Sequence, residues 1–118
     1  MADADAMTRL TVDRQLEMLG WDPLTVNTGA EAIRVVQLGL PVSILLTELD
    51  LPDLDGRSVA WTVTQLQPDV RVAFMCARVP GVPLEPRDAP LLVKPFSTSA
   101  LDAALQAAIH YPRQSGRR

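Results

Sequence analysis

The feature that most constrains the fold is a short apolar run near the middle of the chain, Val-Ser-Ile-Leu-Leu at residues 42–46. Its apolar residues do not alternate with polar ones, as they do in a strand with one face in water. A continuous apolar run is expected for a strand that helices cover on both faces. We therefore expect this strand to be central in a parallel sheet.

Strand and helix patterns alternate along the rest of the chain. Helical spacing of apolar residues predicts helices over 7–19, 29–39, 59–66 and 101–109, and short apolar segments predict strands over 24–27, 70–76 and 91–93. Thr28 with Glu31 forms a capping-box signature, and Ser97 is a candidate N-cap of the last helix. Such alternation implies right-handed crossovers and a doubly wound α/β fold with a parallel sheet.

Composition limits the function classes. The chain has 118 residues, which fits one domain, expected here over residues 1–111 with a flexible tail over 112–118. Its net charge of -3 leaves no basic face for nucleic acid. The single cysteine excludes an internal disulfide, and no apolar stretch is long enough to span a membrane. We expect a cytoplasmic protein that binds neither nucleic acid nor membrane.

Unusual side chains follow three of the predicted strands. Glu48 ends the central strand, Cys76 ends the next, and Lys94 follows the last. In an open α/β sheet, ligands and reactive groups gather at the carboxyl ends of the strands. The sequence therefore places the candidate site around these three residues.

The order of these motifs resembles the receiver domain of bacterial response regulators and hybrid histidine kinases. The resemblance rests on Glu48 with the Asp-Leu-Pro-Asp-Leu-Asp-Gly turn at residues 50–56, on Cys76-Ala77, and on Lys94-Pro95-Phe96. It covers nearly the whole chain. It implies a flavodoxin-like fold, a role in two-component signal transduction, and a cis Lys94-Pro95 peptide bond.

Glu48 occupies the position that the resemblance assigns to the phosphate-accepting aspartate. Glutamate is one methylene longer, so its carboxylate reaches toward the place of a phosphoryl group. In-line phosphoryl transfer depends on accurate positioning, so a displaced nucleophile should be poor. The plainer alternative, compatible with the first, is an acidic residue that only keeps an ion pair with Lys94.

The resemblance also implies a magnesium site, which this sequence weakens. Asp3 and Ala4 align with the family's acidic pair, so one carboxylate is lost, and Asp5 is displaced by one position. Asp50 would supply only a backbone carbonyl. Magnesium needs near-octahedral oxygen ligands, so a missing ligand weakens binding. The alternative for Asp3 and Asp5 is a solvated, disordered N-terminus.

Two switch positions of the family also differ. Cys76 stands where a hydroxyl grips the phosphoryl group, although a lone cysteine at a strand end is more often a small buried apolar residue. Leu91 stands at the switch aromatic, so a rotamer switch of an aromatic side chain is absent. Lys94 is retained and could pair with Glu48.

Two departures concern the architecture. Pro80, Pro83, Pro86 and Pro90 replace the fourth helix of the resembled fold, which is therefore expected to be degenerate. The first strand, normally central in the order 2-1-3-4-5, is apparently missing. Either a segment precedes residue 1, or the second and third strands pair directly, or a second chain fills the gap and forms a strand-exchanged homodimer.

The preferred hypothesis is an atypical receiver-like protein, not phosphorylated at the usual position and not an enzyme. It would act through contacts with a protein partner, such as a histidine kinase or a sibling subunit, without a required cofactor. The first alternative is a phosphorelay receiver that uses a nearby carboxylate, Asp50 or Asp53. The second is a small flavodoxin-like binder of a nucleotide or flavin, against which stands the lack of a glycine-rich phosphate loop.

Overall fold

The computed structural model describes residues 1–81 and 89–110, which form alternating helices and strands. The helices are α1 (Ala6–Met18), α2 (Gly29–Gln37), α3 (Gly56–Leu66) and α4 (Thr98–His110), and the strands are β1 (Ile44–Glu48), β2 (Arg71–Cys76) and β3 (Leu91–Val93). The predicted order of helices and of these three strands is confirmed. The central strand begins two residues later than the apolar run suggested.

The strands form a parallel sheet in the order β1-β2-β3, with Leu46 level with Ala73 and Cys76 level with Val93. Helices cover both faces. Apolar residues of α2 and α3 pack in one core cluster, and apolar residues of α1 and α4 pack in the other. This arrangement confirms the doubly wound α/β fold predicted from the uninterrupted apolar strands.

The predicted strand over 24–27 is wrong as a full strand. Among the described residues of that segment, only Val26 forms a β-bridge, to Ala2. Ala2 also bridges Thr47 of β1, so it stands between Val26 and β1. Of the three alternatives for the missing first strand, direct pairing of the second and third strands is therefore not the one that the described residues form. Where the resembled fold has its first strand, Ala2 forms one bridge to each neighbouring segment. A pairing partner this short supports no ladder over 24–27.

The predicted helix caps form. The hydroxyl of Thr28 accepts a hydrogen bond from the amide of Glu31 (3.1 Å), whose carboxylate accepts from the amide of Asn27 (3.0 Å). The Ser97 hydroxyl accepts from the amide of Ala100 (3.0 Å) at the start of α4. These side chains satisfy amides that a helix N-terminus leaves without partners.

Two predictions fall outside the described residues. The proline-rich segment that replaces the fourth helix lies mostly in 82–88, and the C-terminal tail lies in 111–118. Over the remainder of the chain, no helix has both the length and the apolar character that crossing a membrane requires.

Candidate functional site

The carboxyl ends of the strands meet at one edge of the sheet, and four ionisable side chains lie there. β1 ends at Glu48, β2 ends at Cys76, and Lys94 directly follows β3. The amide of Lys94 donates to the carbonyl of Cys76 (2.8 Å), which fixes the start of the Lys94 side chain beside β2. Asp3 joins them from the N-terminal segment.

Asp3 is held by backbone pairing on both sides. The carbonyl of Ala2 accepts from the amide of Glu48 (2.9 Å), and the amide of Asp3 donates to the carbonyl of Val26 (3.1 Å). The residue is only 2% exposed, so the alternative of a solvated, disordered N-terminus is wrong for Asp3. Its Oδ1 accepts from the amide of Asp5 (2.8 Å), which leaves Oδ2 directed at the site.

Lys94 joins the two buried carboxylates. Its Nζ donates to Oδ2 of Asp3 at 2.6 Å and contacts Oε2 of Glu48 in a second ion pair. The Oε2 atom is buried, and no described residue donates a well-directed hydrogen bond to it. The pairing of Glu48 with Lys94 matches the plainer of the two interpretations of Glu48. That Asp3 shares the same lysine was not predicted.

Burial and the neighbouring charges change the ionisation of this cluster. Burial raises the pKa of Glu48 above its ordinary 4.5, Asp3 adds to the rise by repulsion, and Lys94 opposes it. Burial lowers the pKa of Lys94, but the contacts with Asp3 and Glu48 outweigh burial and raise it above 10.5. The lysine therefore stays charged at neutral pH, whereas ionised Glu48 carries a cost of burial.

The turn after β1 is built around Gly56. Its amide donates to the carbonyl of Leu49 (2.8 Å), and a Cβ at this position would lie 2.1 Å from the carbonyl oxygen of Glu48. Only glycine permits this approach. Asp55 caps α3, because its carboxylate accepts from the amide of Arg57 (2.8 Å). The turn thus presses the start of α3 against the backbone of Glu48.

The other acidic candidates point elsewhere. Asp5 is exposed, and its carboxylate accepts from the Thr8 hydroxyl (2.6 Å) rather than joining Asp3. Asp50 is also exposed and forms a backbone bridge to Asp55. Asp53 accepts from two amides at the start of α2, at 2.9 Å each. The sequence predicted the turn but not the role of Asp53 as an acceptor for the amides at the start of α2. The only sequence signal for that role is an acidic cluster, since carboxylates are favourable beside a helix N-terminus.

Both switch positions lie in apolar surroundings. Cys76 is 1% exposed and packs in the core cluster with α2 and α3, and Leu91 is half-buried against the same cluster. Burial raises the pKa of the Cys76 thiol, and the Glu48 carboxylate adds to the rise. Cys76 therefore remains a neutral thiol, as expected of a small buried residue. The Lys94-Pro95 bond is cis, which confirms the prediction.

The residues present do not fit a magnesium ion in the described arrangement. In the part of the chain that the structure describes, no three acidic, histidine or cysteine side chains lie close enough to hold a metal. Asp3 and Glu48 converge, but the Lys94 ammonium lies between them. A divalent cation would meet two carboxylates and a competing positive charge, whereas it needs up to six oxygen ligands.

Comparisons with known proteins point to one family and one fold. The response regulator receiver protein CpdR of Brucella abortus is 33% identical over 101 residues, which cover 81% of this chain and 82% of CpdR. The transcriptional regulatory protein PrrA of Mycobacterium tuberculosis is 32% identical over 115 residues, but the chain spans only 48% of PrrA. No family model matches the chain.

Solved structures give the same fold. A response regulator receiver protein from Sinorhizobium medicae superposes with a TM-score of 0.80 at 24% identity, with 92% of this chain and 90% of that chain covered. The response regulator TrrA from Thermotoga maritima, solved in complex with Mg²⁺ and beryllofluoride, gives 0.79 at 18% identity over 89% and 92% of the two chains. From the similarity to CpdR over most of both sequences, this chain belongs to the response regulator receiver proteins of two-component signalling.

Proposed function

We propose that this chain is an atypical receiver, a pseudo-receiver that is not phosphorylated at Glu48 and acts through protein contacts rather than catalysis. The observation that carries the proposal is the double ion pair of Lys94 with Asp3 and Glu48. The lysine already has two negative partners without any phosphoryl group. The site therefore has a built-in substitute for the charge that phosphorylation would add.

Chemistry supports the loss of phosphoryl transfer at Glu48. The attacking carboxylate of such a reaction must approach phosphorus in line and must have metal and lysine available for the transferred oxygens. Here Glu48 carries an extra methylene, its Oε2 contacts Lys94, and the side chain is buried. Each of these features opposes attack on a phosphoryl donor.

Magnesium binding is proposed to be weak and not required. The TrrA structure contains Mg²⁺, so a receiver fold can hold the ion. In this chain Asp5 is engaged with Thr8, and Lys94 occupies the space between Asp3 and Glu48. A magnesium ion would have to displace the ammonium group before it could use both carboxylates.

The mode of action is proposed to be contact with a protein partner, such as a histidine kinase or a sibling subunit. Residues 1–111 would act as one cytoplasmic domain, without nucleic-acid contact, since the net charge is -3. A strand-exchanged homodimer stays a prediction that light scattering of the chain at several concentrations measures.

A phosphorelay receiver that uses Asp50 or Asp53 is the second candidate. Asp50 is the favoured acceptor of the two, because it is exposed, whereas both oxygens of Asp53 accept backbone amides. This candidate predicts labelling that is lost in Asp50→Asn or Asp53→Asn.

Intact mass spectrometry after incubation with acetyl phosphate and Mg²⁺ separates the two candidates. We expect no added phosphoryl group on the wild-type chain. A phosphoryl adduct would overturn the proposal, and its loss in the Asp50→Asn or Asp53→Asn variant would identify the acceptor. An adduct retained in both variants but lost in Glu48→Gln would place the reaction on Glu48 itself.

A further inference from the structure

Two polar side chains of α1 contact the segments that carry the charge cluster, which consists of Asp3, Glu48 and Lys94. Arg9 reaches the N-terminal segment, and Gln15 reaches the loop after β3. Neither residue belongs to the charge cluster, and the proposed function involves neither. Their contacts nevertheless lie on the backbone directly beside two of its members.

Arg9 holds the backbone on the carboxyl side of Asp3. Its Nη1 donates to the carbonyl of Asp3 (2.9 Å) and to the carbonyl of Ala4 (2.9 Å). Helical side chains lean toward the amino end of their helix, which lets Arg9 reach back to these residues. No described backbone amide donates to either carbonyl. Without Arg9, the peptide group that follows Asp3 would have no fixed partner.

Gln15 holds the loop on the carboxyl side of Lys94. Its Nε2 donates to the carbonyl of Phe96 (3.2 Å), which follows Lys94 and Pro95. Its Oε1 is buried and has no hydrogen-bond partner among the described residues. Because a buried acceptor without a partner costs free energy, an apolar side chain would suit this place better if packing were the only requirement. The donor contact with Phe96 is therefore what glutamine contributes here.

The body of α1 is packed in the core, so both contacts have a firm support. Val12 and Leu16 are buried in one cluster with apolar residues of β3 and α4, and Phe96 packs against the same cluster. Arg9 and Gln15 stand about 9 Å apart along the helix axis, at about 1.5 Å per residue. One packed helix therefore connects the two contacts.

The contacts close a ring that contains the charge cluster. Arg9 holds the backbone of Asp3 toward the amino end of α1. Gln15 holds the loop that follows Lys94 toward the other end. The ion pair completes the ring, since Nζ of Lys94 donates to Oδ2 of Asp3 at 2.6 Å. Glu48 is joined to the ring through the same lysine.

We propose that Arg9 and Gln15 are positioning residues for the charge cluster: through them α1 keeps Asp3 and Lys94 at ion-pair distance, and the state of the cluster depends on the position of α1. The inference rests on the proposed function for its role in signalling, because it names what keeps the built-in negative charges on Lys94. It concerns the cluster without a phosphoryl group, so its test is separate from that of phosphorylation.

Lys94 provides the readout, because it is the only lysine of the sequence. In protein labelled with ¹⁵N-lysine, its ammonium group gives a single ¹⁵Nζ signal, and exchange of its hydrogens with water reports how often the ion pair opens. Arg9→Met and Gln15→Met remove the two donors but keep an unbranched side chain. We expect exchange to become about fivefold faster or more in each variant, the factor that corresponds to one ordinary hydrogen bond.

Arg14→Met is the matched control, because Arg14 is exposed on the same helix and its loss changes the net charge equally. Exchange in this control should equal that of the wild type. Gln15→Met also removes the unpartnered Oε1, so a role in packing alone predicts unchanged exchange and an unchanged or higher urea midpoint. Unchanged exchange in Arg9→Met or Gln15→Met, or equal acceleration in the control, would overturn the proposal.

A double variant tests whether Arg9 acts through Asp3. In Asp3→Asn the ion pair with Lys94 is already weakened, so adding Arg9→Met should cause little further acceleration. A second acceleration of the same size would show that Arg9 acts on Lys94 by another route, and the positioning role would be wrong. All samples lack Mg²⁺ and phosphoryl donors. A phosphoryl adduct on Glu48 would therefore overturn the proposed function without changing these exchange rates.

Discussion

At the residue scale, one lysine joins its own segment after β3 to two others through ion pairs. Lys94, the only lysine of the sequence, contacts Asp3 from the N-terminal segment and Glu48 from β1. A partly buried ion pair of this kind adds little net stability over an apolar replacement, but loss of one partner leaves a buried charge uncompensated. The cluster therefore determines the positions of the charged side chains at the site more than it stabilises the fold.

The raised pKa of Glu48 gives the first prediction, a pH dependence. Above its unfolded-state pKa near 4.5, the native state binds more protons at Glu48 than the unfolded state does, so stability falls as pH rises through the window up to the raised value. The Glu48→Gln variant should lack this fall. Urea unfolding at closely spaced pH values from 4.5 upward measures it, and identical slopes for the two proteins would contradict the assignment.

Extending the urea unfolding series below pH 3.8 separates the exposed carboxylates from Glu48, because their pKa values shift in the opposite direction. Hydrogen bonds lower the pKa of Asp53 and Asp55 below the ordinary 3.8. Their stabilisation is present above that value and is lost as pH falls through the lowered values. Their contribution therefore lies at more acidic pH than the window of Glu48.

Gly56 gives the second prediction. An alanine there would place its Cβ 2.1 Å from the Glu48 carbonyl oxygen, which belongs to backbone and cannot move aside cheaply. We expect Gly56→Ala to lower the free energy of unfolding by about 2 kcal/mol or more. Gly81→Ala is the matched control, because no described residue lies within 4 Å of its added Cβ. Equal urea midpoints for the two variants would show that the turn can relax.

At the element scale, the turn after β1 is hydrogen-bonded to the N-termini of two helices. Asp53 joins the turn after β1 to α2, and Asp55 caps α3 within the same turn. The sequence predicted α2, α3 and the caps at Thr28 and Ser97, because their signals are local. The bond from Asp53 to α2 joins residues 24 positions apart, and no local pattern shows which helix a loop carboxylate will reach.

Asp53 gives the third prediction. Asp53→Ala should remove the acceptors of the Gly29 and Ala30 amides and loosen the first turn of α2. We expect faster hydrogen exchange at those two amides and a lower melting temperature. Asp50→Ala is the matched control, since its side chain makes no hydrogen bond within the described residues. Unchanged hydrogen exchange at these amides in Asp53→Ala would show that Asp53 does not cap α2.

At the scale of the whole molecule, the sequence predicted the fold more accurately than it predicted the backbone pairing of residues 1–3 and 24–27. Uninterrupted apolar runs predicted β1 and β2 as covered strands, and their carboxyl ends brought Glu48, Cys76 and Lys94 together as expected. The segment 24–27 was predicted as a strand from its composition, but strand formation needs a partner, and residues 1–3 form only one bridge to this segment. Burial of Asp3 depends on that same tertiary pairing.

The central claim is that the site already holds its charges in place and does not respond to a phosphoryl group. ¹H–¹⁵N spectra of the chain before and after addition of Mg²⁺ and beryllofluoride, a phosphoryl mimic, test it most directly. Glu48→Asp, which restores the shorter acceptor, is the comparison protein. The account predicts unchanged amide signals around Glu48, Cys76 and Lys94 in the wild type and shifts in the variant. Shifts of equal size at these amides in the wild type would contradict it.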